Sequence, residues 1–303
     1  VRSADYKKCI EISINAGMDM VMLTDRYKEF ITMLQELVEE GKVPMARIDD
    51  AVTRILRVKF AMGMMEAEPD LWPNKELQPE FGSEAHRKVA RQAVAESVVL
   101  LKNDNALLPV KKLPRRVHVA GSGADDLGMQ CGGWTIGWQG DRGDLTPGGT
   151  TILDALKAVA GNATEVDFTA DGSKCEGADL GIVVVGEGPY AEMKGDRYDL
   201  ALSPEDTAAV AALKAAGLPV VVVVLSGRPM ILGDVADQAD AILAAWLPGT
   251  EGAGVVDVLT GAAPATGKLS FAWPRSMDQV PLGHQRETIE NPLYPLGFGL
   301  GYE

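Results

Sequence analysis

Glu187 and Glu192 stand five residues apart in the run Gly186-Glu187-Gly188-Pro189-Tyr190-Ala191-Glu192-Met193-Lys194-Gly195-Asp196, directly after an apolar stretch. A glutamic acid at such a place can hand a proton to a leaving group when a second carboxylate or a dry setting keeps it protonated. The same composition suits a solvated loop whose charges pair among themselves, Lys194 with Glu192 or with Asp196. Trp134 and Trp138, two of only five tryptophans, lie four apart in the glycine-rich run Cys131-Gly132-Gly133-Trp134-Thr135-Ile136-Gly137-Trp138-Gln139-Gly140-Asp141. Indole faces suit the C–H faces of a sugar ring while the ring N–H stays free to donate. Two such rings can equally cover the edge of a core. The residues alone leave both uses of each loop open.

Other chemistries find less support. Cys9, Cys131 and Cys175 are odd in number, show no CxxC spacing and have no histidine cluster near them. His86, His118 and His284 fall in separate segments and form no HExxH, so no zinc site is expected. A serine triad lacks its GxSxG elbow. The run Gly121-Ser122-Gly123-Ala124-Asp125-Asp126 begins like a dinucleotide fingerprint, but Asp126 stands where the third glycine belongs. Arg142-Gly143-Asp144 reads as a chance match to an adhesion tripeptide. No metal and no organic cofactor is expected.

The elements that must carry these loops follow from periodicity. Val117–Ala120, Leu180–Val185, Val220–Leu225 and Ala241–Trp246 are short apolar runs. They alternate with helical patterns at Thr151–Val159, Pro204–Ala216 and Gly252–Leu259. That alternation predicts a mostly parallel sheet covered on both faces, with ligands beyond the strand ends. A helix capped by Ser83 is expected to run through Val94 and Ser97 to Leu100. Ahead of it, residues 64–82 lose all periodicity and read as a linker. Before that come an opening helix through Ile10, Ile12 and Ile14, then a strand at Met18–Leu23. A helix follows with Phe30, Ile31, Leu34 and Leu37, ended by Gly41. A last one is expected to turn Val52, Ile55, Leu56 and Phe60 inward. A lone strand cannot bury both its faces, so this first segment is expected to need a cover from outside itself. The chain has 303 residues and a formal charge of −14, with apolar residues at 46%. This composition is that of a globular protein, and the acidity argues against nucleic-acid or anionic-membrane partners. The longest strongly apolar run falls far below the ~20 residues of a membrane helix.

Eleven strings across the chain carry a resemblance, among them AGMDMVML, IDDAVTRILRVKFAMG, ARQAVAESVVLLKN, CGGWTIGWQGD, VVVGEGPYAEMKGD, LSGRPM, AAWLPGTEGAGVVDVLTG and PLYPLGFGLGY. They resemble glycoside hydrolase family 3, in its β-glucosidase and exo-1,3-1,4-β-glucanase branch. The resemblance implies residues 1–63 as the end of a (β/α)8 barrel and 64–82 as the linker. Residues 83–290 become a six-stranded, flavodoxin-like α/β sandwich domain carrying the acid/base loop, and 291–303 a C-terminal tail. It implies a retaining mechanism in which Glu192, the Glu of P-Y-x-E, is the acid/base. Glu187 becomes a structural residue, and Trp134 and Trp138 line the sugar pocket. Asp141 and Asp196 are expected to brace their loops.

The family's nucleophile sits in a Ser-Asp-Trp-like string that this sequence lacks. The expected function is therefore a retaining enzyme releasing glucose from non-reducing ends of β-glucans or cello-oligosaccharides. In it the N-terminal barrel portion is a needed partner, and this polypeptide alone is inactive. The alternatives are a non-catalytic carbohydrate-binding module or a β-xylosidase of the same family. A polysaccharide substrate and an acidic surface suggest the periplasm or the cell exterior.

Overall fold

The computed structural model describes residues 4–68, 72–282 and 289–302; His284 lies outside them. The chain divides into two compact units, Val1–Pro79 and Glu80–Glu303.

Helices α1 (Tyr6–Asn15), α2 (Tyr27–Glu39) and α3 (Met45–Ala61) make up the first unit. Ile10, Ile14, Leu37 and Val43 form its small core. Asp5 caps α1 by accepting the Lys8 N–H. The strand expected at Met18–Leu23 does not form: no described strand lies beside it to complete a ladder, and the segment is irregular. It is held instead through Asp19, whose carboxylate receives Arg47 at 2.6 Å and Arg54 at 2.6 Å. Ala51 is the buried face of α3, whereas Val52, Leu56 and Phe60, expected to turn inward, are exposed.

In the second unit α4 (Glu84–Ser97) leads into β1 (Val99–Asn103). The helix expected to reach Leu100 stops at Ser97, because the β-branched pair Val98-Val99 passes into the sheet. Then follow β2 (Arg116–Ala120), α5 (Leu127–Cys131), α6 (Ile152–Ala160), β3 (Glu165–Phe168) and β4 (Leu180–Gly186). The chain continues with α7 (Pro204–Ala215), β5 (Val220–Leu225), α8 (Val235–Gln238), β6 (Ala241–Trp246) and α9 (Gly252–Thr260). The six strands lie in the order β1-β6-β5-β4-β2-β3, parallel except for β1 at one edge.

Every residue of β5 is buried, and the strand divides its side chains by parity. Val221, Val223 and Leu225 face one core with Ile182, Val184 and Leu243. Val220, Val222 and Val224 face the other with Val183, Val185 and Ile242. Burial on both faces explains the unbroken valine run, since an alternating strand would put polar groups into one of these cores. The five parallel strands have the doubly wound flavodoxin-like order, which reverses between β2 and β4. Loops leaving those two strands carry both of the sequence's special runs.

Candidate active-site half at the strand ends

The switch point between β2 and β4 is packed shut. A Cβ on Gly121 would stand 2.2 Å from the Val184 carbonyl oxygen, so this glycine serves strand contact. Asp206, on the first turn of α7, accepts the N–H groups of Ser122 and Gly186, both at 3.1 Å, and so joins the two loops. Asp126, in place of a third fingerprint glycine, caps α5 by accepting Met129 N–H at 2.8 Å. It also receives Gly143 N–H at 2.9 Å and Arg142 Nε at 2.7 Å. The helix terminus that would bind a pyrophosphate is thus occupied by the chain's own carboxylate. Arg142 of the adhesion-like tripeptide is tied down by the same contact.

After α5 the chain makes the tryptophan loop. Trp134 N–H donates to the Trp138 carbonyl at 2.9 Å, closing a turn in which Trp134 and Ile136 have φ of 61° and 59°. The indole centroids are 6.3 Å apart with 53° between planes, and the rings are 69% and 46% exposed. They do not close the edge of the core.

The two glutamates after β4 have opposite surroundings. Glu187 is 6% exposed and fully engaged. Its Oε1 accepts the Tyr190 hydroxyl at 3.1 Å, and its Oε2 accepts Arg228 Nη2 at 2.9 Å, with Arg197 at 3.5 Å. Burial, and next the Glu187 charge, push the Tyr190 hydroxyl up to about 12, which keeps it a donor. Glu192 opens a 3₁₀ turn (Glu192–Gly195) with φ 51° and is exposed. Its carboxylate has no hydrogen-bond or ion-pair partner among the described residues. The pairing of Lys194 with Glu192 or Asp196 does not occur, and the Asp141 and Asp196 carboxylates, expected to brace their loops, are exposed and engage no described residue.

The tryptophan and acid loops touch through backbone. A Cβ on Gly133 would fall 2.0 Å from the Tyr190 carbonyl oxygen and 3.1 Å from Ala191 N. Gln139 Oε1 accepts the Ala191 N–H at 3.0 Å. Sequence reasoning passed over Gln139, Tyr190 and Arg228. Arg228 carried a usable signal, since it follows the buried strand β5 by three residues, where the strand-end rule already pointed.

Fold and site define a doubly wound α/β domain with two abutting switch-point loops, one carrying a free carboxylate and the other an exposed indole pair. Residues 98–302 match the glycosyl hydrolase family 3 C-terminal domain, and residues 2–58 match the glycosyl hydrolase family 3 N terminal domain. The chain belongs to glycosyl hydrolase family 3. It is 32% identical over 317 residues to the lysosomal beta glucosidase of Dictyostelium discoideum, covering 96% of this chain and 38% of that protein. It is 32% identical over 357 residues to the periplasmic beta-glucosidase of Salmonella typhimurium, covering 99% and 46%. The crystal structure of an exo-1,3/1,4-beta-glucanase from a Pseudoalteromonas species superposes with a TM-score of 0.83 at 38% identity, covering 97% of this chain and 38% of that one. The chain thus spans under half the length of each of these relatives. No helix of the described residues is long and apolar enough to cross a membrane. No group of three or more His, Cys, Asp or Glu among the described residues is arranged to hold a metal ion.

Proposed function

We propose that this chain supplies the acid/base half of a retaining β-glucosidase or exo-β-glucanase that releases glucose from non-reducing ends of β-glucans or cello-oligosaccharides. The observation that carries the reading is the contrast between the glutamates: Glu187 is consumed by Arg228 and Tyr190, while Glu192 is free on a loop that abuts the exposed indoles. Glu192 protonates the glycosidic oxygen as the bond breaks, then removes a proton from the water that releases the sugar. Trp134 and Trp138 grip the leaving-group sugar. The nucleophilic aspartate comes from the barrel portion, which the relatives' greater length accommodates, and reaches to roughly 5–5.5 Å from Glu192. The periplasmic relative and a polysaccharide substrate support a place in the periplasm or outside the cell.

The test is reconstitution. The 303-residue chain assayed on an aryl β-glucoside is expected to be inactive, and adding the barrel portion to restore turnover that Glu192→Ala abolishes. Turnover by the chain alone, or rescued turnover indifferent to Glu192, overturns the reading. Laminaribiose binding by calorimetry without rescue would make the indoles a non-catalytic carbohydrate-binding surface. Faster cleavage of an aryl β-xyloside in the rescued assay would make the enzyme a β-xylosidase.

A further inference from the structure

Gln139 sits one residue beyond Trp138 and is half-buried between the two loops. Its amide is oriented without ambiguity, because the Ala191 N–H it meets at 3.0 Å needs an acceptor and only Oε1 is one. The other half of the same amide, Nε2, is buried and has no hydrogen-bond partner among the described residues. A buried unpaired donor is unfavourable, and a methionine or leucine would fill the space without it. The contact that an amide makes here and an apolar side chain cannot is the bond to Ala191. Ala191 is itself buried and immediately precedes Glu192, whose backbone turns through φ 51°. The Tyr190–Ala191 peptide, one residue ahead of Glu192, is therefore anchored from the tryptophan loop, while Arg228 and Glu187 anchor the loop elsewhere.

We infer that Gln139 is the positioning residue of the acid/base: its side-chain carbonyl fixes the Tyr190–Ala191 peptide from which Glu192 springs, so that proton delivery and the sugar platform share one rigid origin. The inference rests on the assignment of Glu192 as acid/base. Gln139 touches no reacting atom; its action is on the aim of the Glu192 carboxyl. A displacement of about 1 Å at a reacting group is enough to cost on the order of 100-fold in rate. A misaimed acid matters only when the leaving group needs its proton. Bond cleavage in laminaribiose expels an alkoxide-like oxygen and requires the proton, whereas 2,4-dinitrophenolate departs without one.

The experiment compares kcat/KM on laminaribiose and on 2,4-dinitrophenyl β-glucoside, with the chain joined to its barrel portion. Gln139→Met is expected to lose roughly 10- to 100-fold on laminaribiose and less than about 3-fold on the dinitrophenyl glucoside. Gln139→Glu, which offers Ala191 an acceptor oxygen in either protonation state, is expected to recover most of the loss. Equal losses on the two substrates, or no loss, overturn the inference. Glu192→Ala in the same pair of assays separates the two claims: if it too fails to discriminate between leaving groups, the acid/base assignment itself is wrong. Should Gln139→Met fold poorly, amide hydrogen exchange on the unaltered protein decides. The Ala191 amide must be protected well above the neighbouring exposed loop amides, and fast exchange there overturns the inference.

Discussion

Arg228 holds Glu187 with two nitrogens on one oxygen: Nε and Nη2 lie 3.2 and 2.9 Å from Oε2, while Nη1 donates to the Gly195 carbonyl at 2.7 Å. Its guanidinium also covers the Tyr190 ring, 4.6 Å from the centroid. One side chain from the end of β5 thereby closes the loop that carries Glu192 at both of its ends. Arg228→Met leaves the buried Glu187 carboxylate with only the longer Arg197 contact at 3.5 Å, and the expected loss is about 2–4 kcal/mol. Urea unfolding measures it, and the double variant with Glu187→Gln should recover part of that loss. An undiminished midpoint for Arg228→Met would mean that the loop holds its shape by other means.

Contact between the loops has its own test. Gly133→Ala drives a methyl into the Tyr190 carbonyl, which is backbone and cannot swing aside. The expected destabilisation is about 1–3 kcal/mol by the usual scale of overpacking. Gly137→Ala, in the same loop with nothing within 4 Å of its would-be Cβ, is the matched control and should be nearly neutral. Circular dichroism melts of the two variants give the comparison, and equal melting temperatures would refute the contact.

How far this arrangement could be read from the sequence depended on which physical effect set each residue. β4 and β5 were plain because burial on both faces leaves an unbroken apolar run. β3 was not, since Glu165-Val166-Asp167-Phe168 is a half-exposed edge with only two apolar residues. β1 hid behind α4 because the antiparallel partner that makes it a strand, β6, lies over a hundred residues away. The first-unit segment at Met18–Leu23 failed in the opposite sense: its composition is that of a strand, but a ladder needs a neighbour. Trp134, Trp138 and the two glutamates stood out by type and by position after a strand. That Glu187 is engaged and Glu192 free depends on Arg228 and Tyr190, a convergence that no local pattern encodes. Gln139 had no periodicity to mark it.

His118, on β2 with its contact to Thr169 after β3, offers a stability test outside the two loops. It is 1% exposed on β2, its Nε2 lies 3.0 Å from Thr169 Oγ1, and its Nδ1 is buried without a partner among the described residues. Burial lowers its pKa below the ordinary 6.5, outweighing the nearby Asp167 carboxylate. The folded protein therefore binds the proton less readily than the unfolded chain does. Stability is full above about pH 6.5 and declines as the pH falls from there toward the lowered folded value. His118→Gln, which cannot titrate, should flatten that part of the profile. Urea midpoints at pH 7.5 and 5.5 provide the check, and an unchanged slope in the variant would assign the decline to other groups.

The tryptophan turn stores strain in a residue badly suited to its conformation. Ile136 is 83% exposed with φ 59°, a left-handed geometry that crowds a β-branched side chain. The strain costs about 1–2 kcal/mol for a residue with a Cβ, and asparagine tolerates it best apart from glycine. Ile136→Asn should therefore raise stability by about 0.5–1 kcal/mol, whereas Ile136→Val, equally branched, should not. The turn itself is kept by backbone bonds, Trp134 N–H to Trp138 O at 2.9 Å and Gly137 N–H to Thr135 O at 2.7 Å, so the indoles stay in place in both variants. If the rings grip a sugar as proposed, an exposed isoleucine held at such a cost between them is expected to add apolar contact to it. Ile136→Asn should then bind laminaribiose more weakly even as it melts later. Calorimetry and melting on the same preparation decide. A variant that gains stability and keeps its affinity would show that the strain belongs to the turn alone and not to the surface it presents.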